Sequence, residues 1–315
     1  MFSPIRSLCF NDDRQTFTIV LPSQYRIFRC DPFGMIFSRE CEDLSLGAVA
    51  TYDGYRFIAL AGAPSPQNFN SKSVRVFDHQ TGQHTFEHTF PDHILSLGIG
   101  KNIIVVCMYM KTEVWSTSTK QMIYNLGSGR NVHVPLAITP DSSSIIVGGP
   151  NERSITIYRG IESQLQPVNA GVDESAVSLV KFSDDGNLFA TSGFTGDYIR
   201  VWDFKSLGLF ATLERGTKED VVMAIDFSPS GDYLASISKD GLLRIFDIRK
   251  PNQNPKKPIK CVCSENLGQP LYMPRFTWLN SMLLGLASLE GDYYKISFDG
   301  SSLEFEKIPF LKRTV

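Results

Sequence analysis

The chain has 315 residues, 42% of them apolar, with 31 basic against 33 acidic side chains and a formal net charge of −2. That composition is ordinary for a globular protein. The absence of a basic excess argues against a nucleic-acid binder, which needs one to displace counterions from phosphates. Any site for an anion must therefore be local.

In chain order, one pattern recurs. Short apolar strands alternate with turns rich in Gly, Asn, Asp and Ser, and no long 3.6-period stretch with caps appears. A strand ending in an aromatic residue can be followed along the chain: "YRIF" to Phe28, "VRVF" to Phe77, "TEVW" to Trp115, "ITIY" to Tyr158, "IRVW" to Trp202, "LRIF" to Phe246 and "YKISF" to Phe298. The anchors lie roughly 40–50 residues apart, the period of four-stranded propeller blades. The two most similar copies are "VSLVKFSDDGNLFATSGFTGDYIRVWD" (177–203) and "VVMAIDFSPSGDYLASISKDGLLRIFD" (221–247). The expectation is an all-β fold, a seven-bladed β-propeller of WD-repeat type spanning 1–315 as one domain. The aromatic anchors are read as core.

The six cysteines, Cys9, Cys30, Cys41, Cys107, Cys261 and Cys263, form no C-x-x-C pair, and several lie in apolar runs where a thiol behaves as a small hydrophobe. Apolar runs such as "IIVVCMYM" (103–110) are far short of the ~20 residues of a membrane span, and Met1–Leu8 is too short and polar for a signal sequence. These features imply a reduced, cytoplasmic chain with no transmembrane segment. His79, His84, His88 and His93 fall in a Gly turn and an alternating strand, so they are read as surface and hairpin residues and not as a metal site. "GSGRN" (127–131) lacks the strand and helix context of a phosphate loop and is read as a turn. No nucleophile–base pair or carboxylate pair stands at a defined spacing, so neither enzyme activity nor a cofactor is expected.

Three segments carry a family resemblance. "SLCFNDDRQTFTIVLPSQYRIFRCDPFG" (7–34), "LAGAPSPQNFNSKSVRVFD" (60–78) and "EGDYYKISFD" (290–299) resemble the first, second and last blades of the PROPPIN family, the WIPI-type propellers that bind phosphoinositides in autophagy. "LERGTKED" (213–220) falls where that family carries Phe/Leu-Arg-Arg-Gly-Thr, between blades five and six. The resemblance implies two shallow rim pockets for the head group of phosphatidylinositol 3-phosphate or the 3,5-bisphosphate. Adjacent residues of a strand point to opposite faces, so one double-Arg dipeptide can serve both. It also implies peripheral recruitment to autophagic, endosomal or vacuolar membranes. Autophagy proteins, among them the large lipid-transfer protein, would be partners docking on the loops and edges of blades two and three, where residues 61–73 form a surface loop.

The sequence departs from that pattern at the motif itself. Glu214 occupies the first Arg position. The exchange removes a charge-assisted bond of about 1.5–3 kcal/mol and brings a carboxylate toward phosphate, a repulsion of about 4 kcal/mol at ~4 Å in an effective dielectric near 20. An ungapped count puts Asp173, Gly193 and Asp197 at the other ligand positions of that first pocket, which is therefore degraded and electrostatically reversed. The second pocket keeps Arg215, Gly216, Thr217 and Ser238, with Lys239 one place from the family's basic residue and Leu242 at its Thr position. The family's long apolar loop after the third strand of blade six is here "RKPNQNPKKP" (249–258), short, polar and basic. Two readings follow: a phosphoinositide-binding scaffold with one retained pocket, or a PROPPIN-derived protein-interaction scaffold that no longer reads lipid.

Overall fold

The computed structural model describes residues 5–41, 44–64, 69–127, 133–161, 166–172, 175–195, 197–215, 221–268 and 270–311. Two kinds of turn recur, each set by short polar side chains. In the first hairpin of a repeat, Ser183 Oγ accepts the Leu188 N–H and Ser228 Oγ accepts the Tyr233 N–H, both at 3.0 Å. Thr139 Oγ1 does the same for Ser144 at 2.9 Å. These turns place Gly186 (φ 69°) and Gly231 (φ 73°) in the left-handed region, which glycine adopts without a Cβ clash. In the third-to-fourth-strand turn, the Asp after the aromatic anchor accepts N–H groups two or three residues on. Asp203 Oδ1 takes Ser206 (2.7 Å), Asp247 Oδ1 takes Arg249 (3.0 Å) and Asp299 Oδ1 takes Ser302 (2.7 Å). The "aromatic-Asp" signature thus joins a core side chain to a turn-forming carboxylate.

The strands form seven sheets, the arrangement of a seven-bladed β-propeller, and no helix occurs among the described residues. Blade one is β1 (Ser7–Phe10), β2 (Thr16–Leu21), β3 (Gln24–Arg29) and β4 (Gly34–Glu40). Blade two is β5 (Leu46–Tyr52), β6 (Phe57–Gly62), β7 (Ser73–Asp78) and β8 (His84–Thr89). Blade three is β9 (Ser96–Gly100), β10 (Ile103–Cys107), β11 (Lys111–Ser116) and β12 (Met122–Gly127), and blade four is β13 (Leu136–Ile138), β14 (Ser144–Gly148), β15 (Ser154–Arg159) and β16 (Gln166–Gly171). Blade five is β17 (Val177–Phe182), β18 (Leu188–Gly193), β19 (Tyr198–Asp203) and β20 (Leu209–Glu214). Blade six is β21 (Val222–Phe227), β22 (Tyr233–Ser238) and β23 (Leu242–Asp247), followed by β24 (Pro258–Ile259) and β25 (Cys263–Asn266). Of these last two, β25 completes blade six, whereas β24 joins blade five. Blade seven is β26 (Arg275–Asn280), β27 (Leu283–Ala287), β28 (Asp292–Phe298) and β29 (Leu303–Pro309).

The chain gathers into two compact units, residues 1–127 with 287–293 and 307–315, and residues 128–286 with 294–306. In the first, Phe17 is fully buried and its ring centroid lies 5.2 Å from Phe28, 5.7 Å from Tyr293 and 5.6 Å from Phe310. Tyr293 stacks on Phe33 at 4.7 Å and its hydroxyl donates to Cys30 O at 3.2 Å. Residues from the start and the end of the chain are thereby locked in one aromatic cluster. Asn11, in the "FNDD" segment of the family resemblance, is buried and accepts the hydroxyls of Thr18 (3.2 Å) and Thr51 (2.8 Å), tying β2 to β5. That motif is structural.

In the second unit, Ala190, Ile199, Val201 and Leu213 of blade five pack with Val222, Ile225, Leu234 and Phe246 of blade six. The buried Asp226 carboxylate accepts Thr277 Oγ1–H (2.9 Å) and the Trp278 N–H (3.3 Å) and pairs with Lys181 Nζ (3.4 Å). The cysteines are free thiols. Burial pushes the Cys30 and Cys107 thiols up to about 12, so both stay neutral and act as core hydrophobes.

Phe17→Ala removes the centre of the aromatic cluster and is expected to cost about 3–5 kcal/mol, read from urea unfolding curves. Met35→Ala, at a side chain 55% exposed, is expected to stay within about 0.5 kcal/mol of the wild type.

Candidate functional site

Antiparallel pairing brings three of the expected first-pocket positions to one end of blade five. β18 ends at Gly193, β19 begins after Asp197, and β20 ends at Glu214, which lies opposite Tyr198 in register. The Arg215 N–H donates to Asp197 O at 2.7 Å, so the motif strand and the Asp197 turn are held directly together. Alternation then separates the two motif side chains. Glu214 is exposed, whereas Arg215 is 1% exposed and ranks among the largest fully buried side chains among the described residues. Gly193 is buried and pairs with Val177, and Asp197 is half-buried. Asp173, Gly216 and Thr217 lie outside the described residues, as do 128–131 of the "GSGRN" turn and 65–68 of the 61–73 loop.

The blade-six positions sit on the turn between β22 and β23. Ser238 is buried and its Oγ accepts the Leu242 N–H at 3.2 Å, while Ser238 O accepts the Gly241 N–H at 3.1 Å. Gly241 turns with φ 82°, a conformation that glycine supplies cheaply. Lys239 is exposed, its N–H donates to Val221 O (2.8 Å), and its carbonyl accepts the Leu271 N–H (2.9 Å). Leu242 is half-buried, and its backbone, not a side-chain hydroxyl, meets Ser238.

The 249–258 loop is more than the polar turn its composition suggests. Arg249 Nε donates to Asp247 Oδ1 at 3.0 Å, and its guanidinium lies 5.1 Å from the Tyr233 ring centre. Asn252 Nδ2 donates to Lys257 O (2.9 Å), and Thr212 Oγ1 donates to Pro255 O (2.8 Å). Directly afterwards β24 pairs in parallel with β20, Pro258 opposite Thr212 and Ile259 opposite Leu213. Ile259 and Cys261 pack on the core shared by blades five and six. A stretch from blade six thus straps the outer strand of blade five just before Glu214. Lys250, Lys256 and Lys257 remain exposed on it.

The histidines disperse. The His79 ring lies 4.3 Å from Phe37, that of His88 lies 4.1 Å from Trp115, and His93 Nδ1 is 2.6 Å from Ser71 Oγ. Burial holds the His79 imidazole below its ordinary value. His133 is lowered for the same reason where it stacks on Phe194 at 4.4 Å, beside Gly193. No helix is long and apolar enough to cross a membrane among the described residues.

The WD domain, G-beta repeat model matches residues 169–203 and 209–247, the two blades that flank the motif. Over the whole of this chain and 85% of its own length, autophagy-related protein 18 of Yarrowia lipolytica is 23% identical. The homologues of this chain are thus Atg18/Atg21 proteins of the PROPPIN family, and it carries WD repeats. Other relatives are autophagy-related protein 18 of Dictyostelium discoideum (23% identical, 78% of this chain) and autophagy-related protein 21 of Pichia angusta (21%, 77%). The chain spans 66% and 65% of the lengths of those two proteins. Among solved structures, Kluyveromyces lactis Hsv2 superposes with a TM-score of 0.80 at 17% identity, covering 97% of this chain and 98% of its own. A complex of KlAtg21 with the coiled coil of AgAtg16 gives 0.78 at 17%, covering 98% and 99%. These likenesses support an autophagy-related propeller.

Thr212→Val removes the bond to Pro255 O, worth about 1 kcal/mol net, and is expected to raise tryptic cleavage after Lys256 severalfold without shifting global unfolding. Unchanged cleavage would mean that the strand pairing alone holds the strap.

Proposed function

We propose that this chain is an autophagy scaffold that reads a 3-phosphorylated inositol head group through one rim site, made of Arg215, Gly216, Thr217, Ser238 and Lys239. The observation that carries the reading is Arg215. It occupies the family's second motif arginine, stays charged at any working pH, and is withdrawn from water where attraction to an anion is least screened. Its backbone is fixed by Asp197 O, so the guanidinium starts from a defined position. Lys239 adds an exposed cation, and the Ser238 hydroxyl, already accepting from Leu242, has its proton to direct at a phosphate oxygen. Because Arg215 is 1% exposed, the head group meets it only after local opening, and association is expected to be slower than diffusion-limited.

The neighbouring family site is closed by chemistry in this reading. Glu214 presents a carboxylate on the opposite side of the strand, Asp197 adds a second acid, and Gly193 offers no hydroxyl. One head-group site forfeits the gain of 10²–10⁴ that two sites on one rigid rim obtain at a membrane. Membrane residence therefore depends on a further contact, with lipid or with a protein partner. The complex of KlAtg21 with the AgAtg16 coiled coil supports an autophagy protein as such a partner; the large lipid-transfer protein is proposed on the family resemblance alone.

Flotation with vesicles containing phosphatidylinositol 3-phosphate tests the reading. Wild type is expected to float, Arg215→Glu to lose at least about tenfold, and the exposed Lys239→Glu to lose severalfold without any folding cost. Glu214→Arg alone is expected to add little, because Gly193 and Asp197 remain. If wild type and Arg215→Glu float equally, or neither floats, the lipid role fails and the protein-interaction scaffold is left.

A further inference from the structure

A segment marked by no motif forms the lip of the blade-six turn. Residues 267–275 run from β25 to β26, and Leu267 and Leu271 donate their N–H groups to Gly241 O (3.0 Å) and Lys239 O (2.9 Å). Both leucines are buried in the cluster around Trp278. The next two side chains turn outward. Tyr272 is 61% exposed, the highest value among the exposed large hydrophobic side chains of the described residues, and Met273 is 39% exposed. Met273 has φ 48°, in the left-handed region that a side chain with Cβ rarely adopts. Pro270 and Pro274 flank the pair, and Arg275 NH1 donates to Pro274 O (3.1 Å) and Met223 O (3.2 Å), clamping its far side. This backbone holds two apolar side chains in water, and outliers of this kind concentrate at binding sites.

We propose that Tyr272 and Met273 form a wedge that enters the interface of an anionic lipid bilayer beside the blade-six site. The proposal rests on the head-group reading above for how this face meets a membrane, and it names the further contact that a single head-group site lacks. The chemistry fits a bilayer: tyrosine has an apolar body with a polar tip suited to the headgroup boundary, and methionine is a flexible apolar chain. The exposed Lys239, whose carbonyl accepts the Leu271 N–H, stands on the adjoining turn beside the exposed Asp240 and offers a cation to an anionic surface. A protein partner needs roughly 800 Å² of complementary surface per side, far more than two side chains offer, whereas a bilayer accepts an isolated pair. The 249–258 loop does not compete for the role. Its backbone is committed to β20 and Thr212, and its exposed side chains are polar.

Two variants test the wedge on the full chain. Tyr272→Ser combined with Met273→Ser is expected to reduce partition onto phosphatidylcholine–phosphatidylserine vesicles carrying phosphatidylinositol 3-phosphate by about tenfold, while affinity for soluble inositol 1,3-bisphosphate stays within about twofold. Tyr272→Trp is expected to show blue-shifted fluorescence, quenched by brominated acyl chains, when those vesicles are added. Full partition of the double variant, or vesicle binding without quenching, overturns the wedge and leaves the head-group reading standing. Vesicle binding with quenching but no head-group dependence keeps the wedge and removes that reading. No binding to vesicles or to soluble head group removes both.

Discussion

A four-stranded sheet that is apolar on both faces cannot stand in water, and everything else in this chain depends on covering both faces of each sheet. The inner strands state the requirement directly: Thr16–Leu21, Ile103–Cys107 and Ser144–Gly148 are buried at every residue. Such strands need a neighbour on each side, which radial packing supplies while leaving only short protected edges. Two polar residues that remain inside are bonded for the same reason. Asn11 gathers two threonine hydroxyls and Asp226 gathers Thr277, Trp278 and Lys181, because a buried polar group without a partner costs more than its bond contributes.

That constraint also makes the candidate site. With the strand faces committed to packing, chemistry is left to the turns and strand ends, where Gly193, Asp197, Glu214, Arg215, Ser238 and Lys239 lie. The seam between blades five and six is unusually tied. Arg215 is hydrogen-bonded to the Asp197 turn, β24 runs along β20, and Leu267 and Leu271 are bonded to the blade-six turn. The backbone is thereby anchored at both Arg215 and Lys239. The same frame binds the 249–258 loop, which by family resemblance would dip into the bilayer.

Much of this was legible in the amino-acid order, and the remainder was hidden for physical reasons. The blade pattern shows because strand alternation and the aromatic-Asp turns are local, and local signals survive in sequence. Position 215 was legible through its motif, but its burial was not, since that depends on strands contributed from elsewhere in the chain. β24 was invisible: two residues after a Pro-rich stretch pair in parallel with a strand more than forty residues earlier, and composition alone reads as a turn. Tyr272 and Met273 carried no period and no motif, and they become notable only once Leu271 is seen bonded to Lys239. The "FNDD" resemblance was legible too, and its Asn11 serves packing.

The central proposal is a rim with one head-group site, at the buried Arg215, and a neighbouring site opposed by the charge of Glu214. Isothermal titration of the wild-type chain with soluble inositol 1,3-bisphosphate tests it most directly, because stoichiometry counts sites independently of any membrane. The account predicts saturation at a single head group per chain. Saturation at two, or no binding at any concentration where related head groups bind proteins, would contradict it.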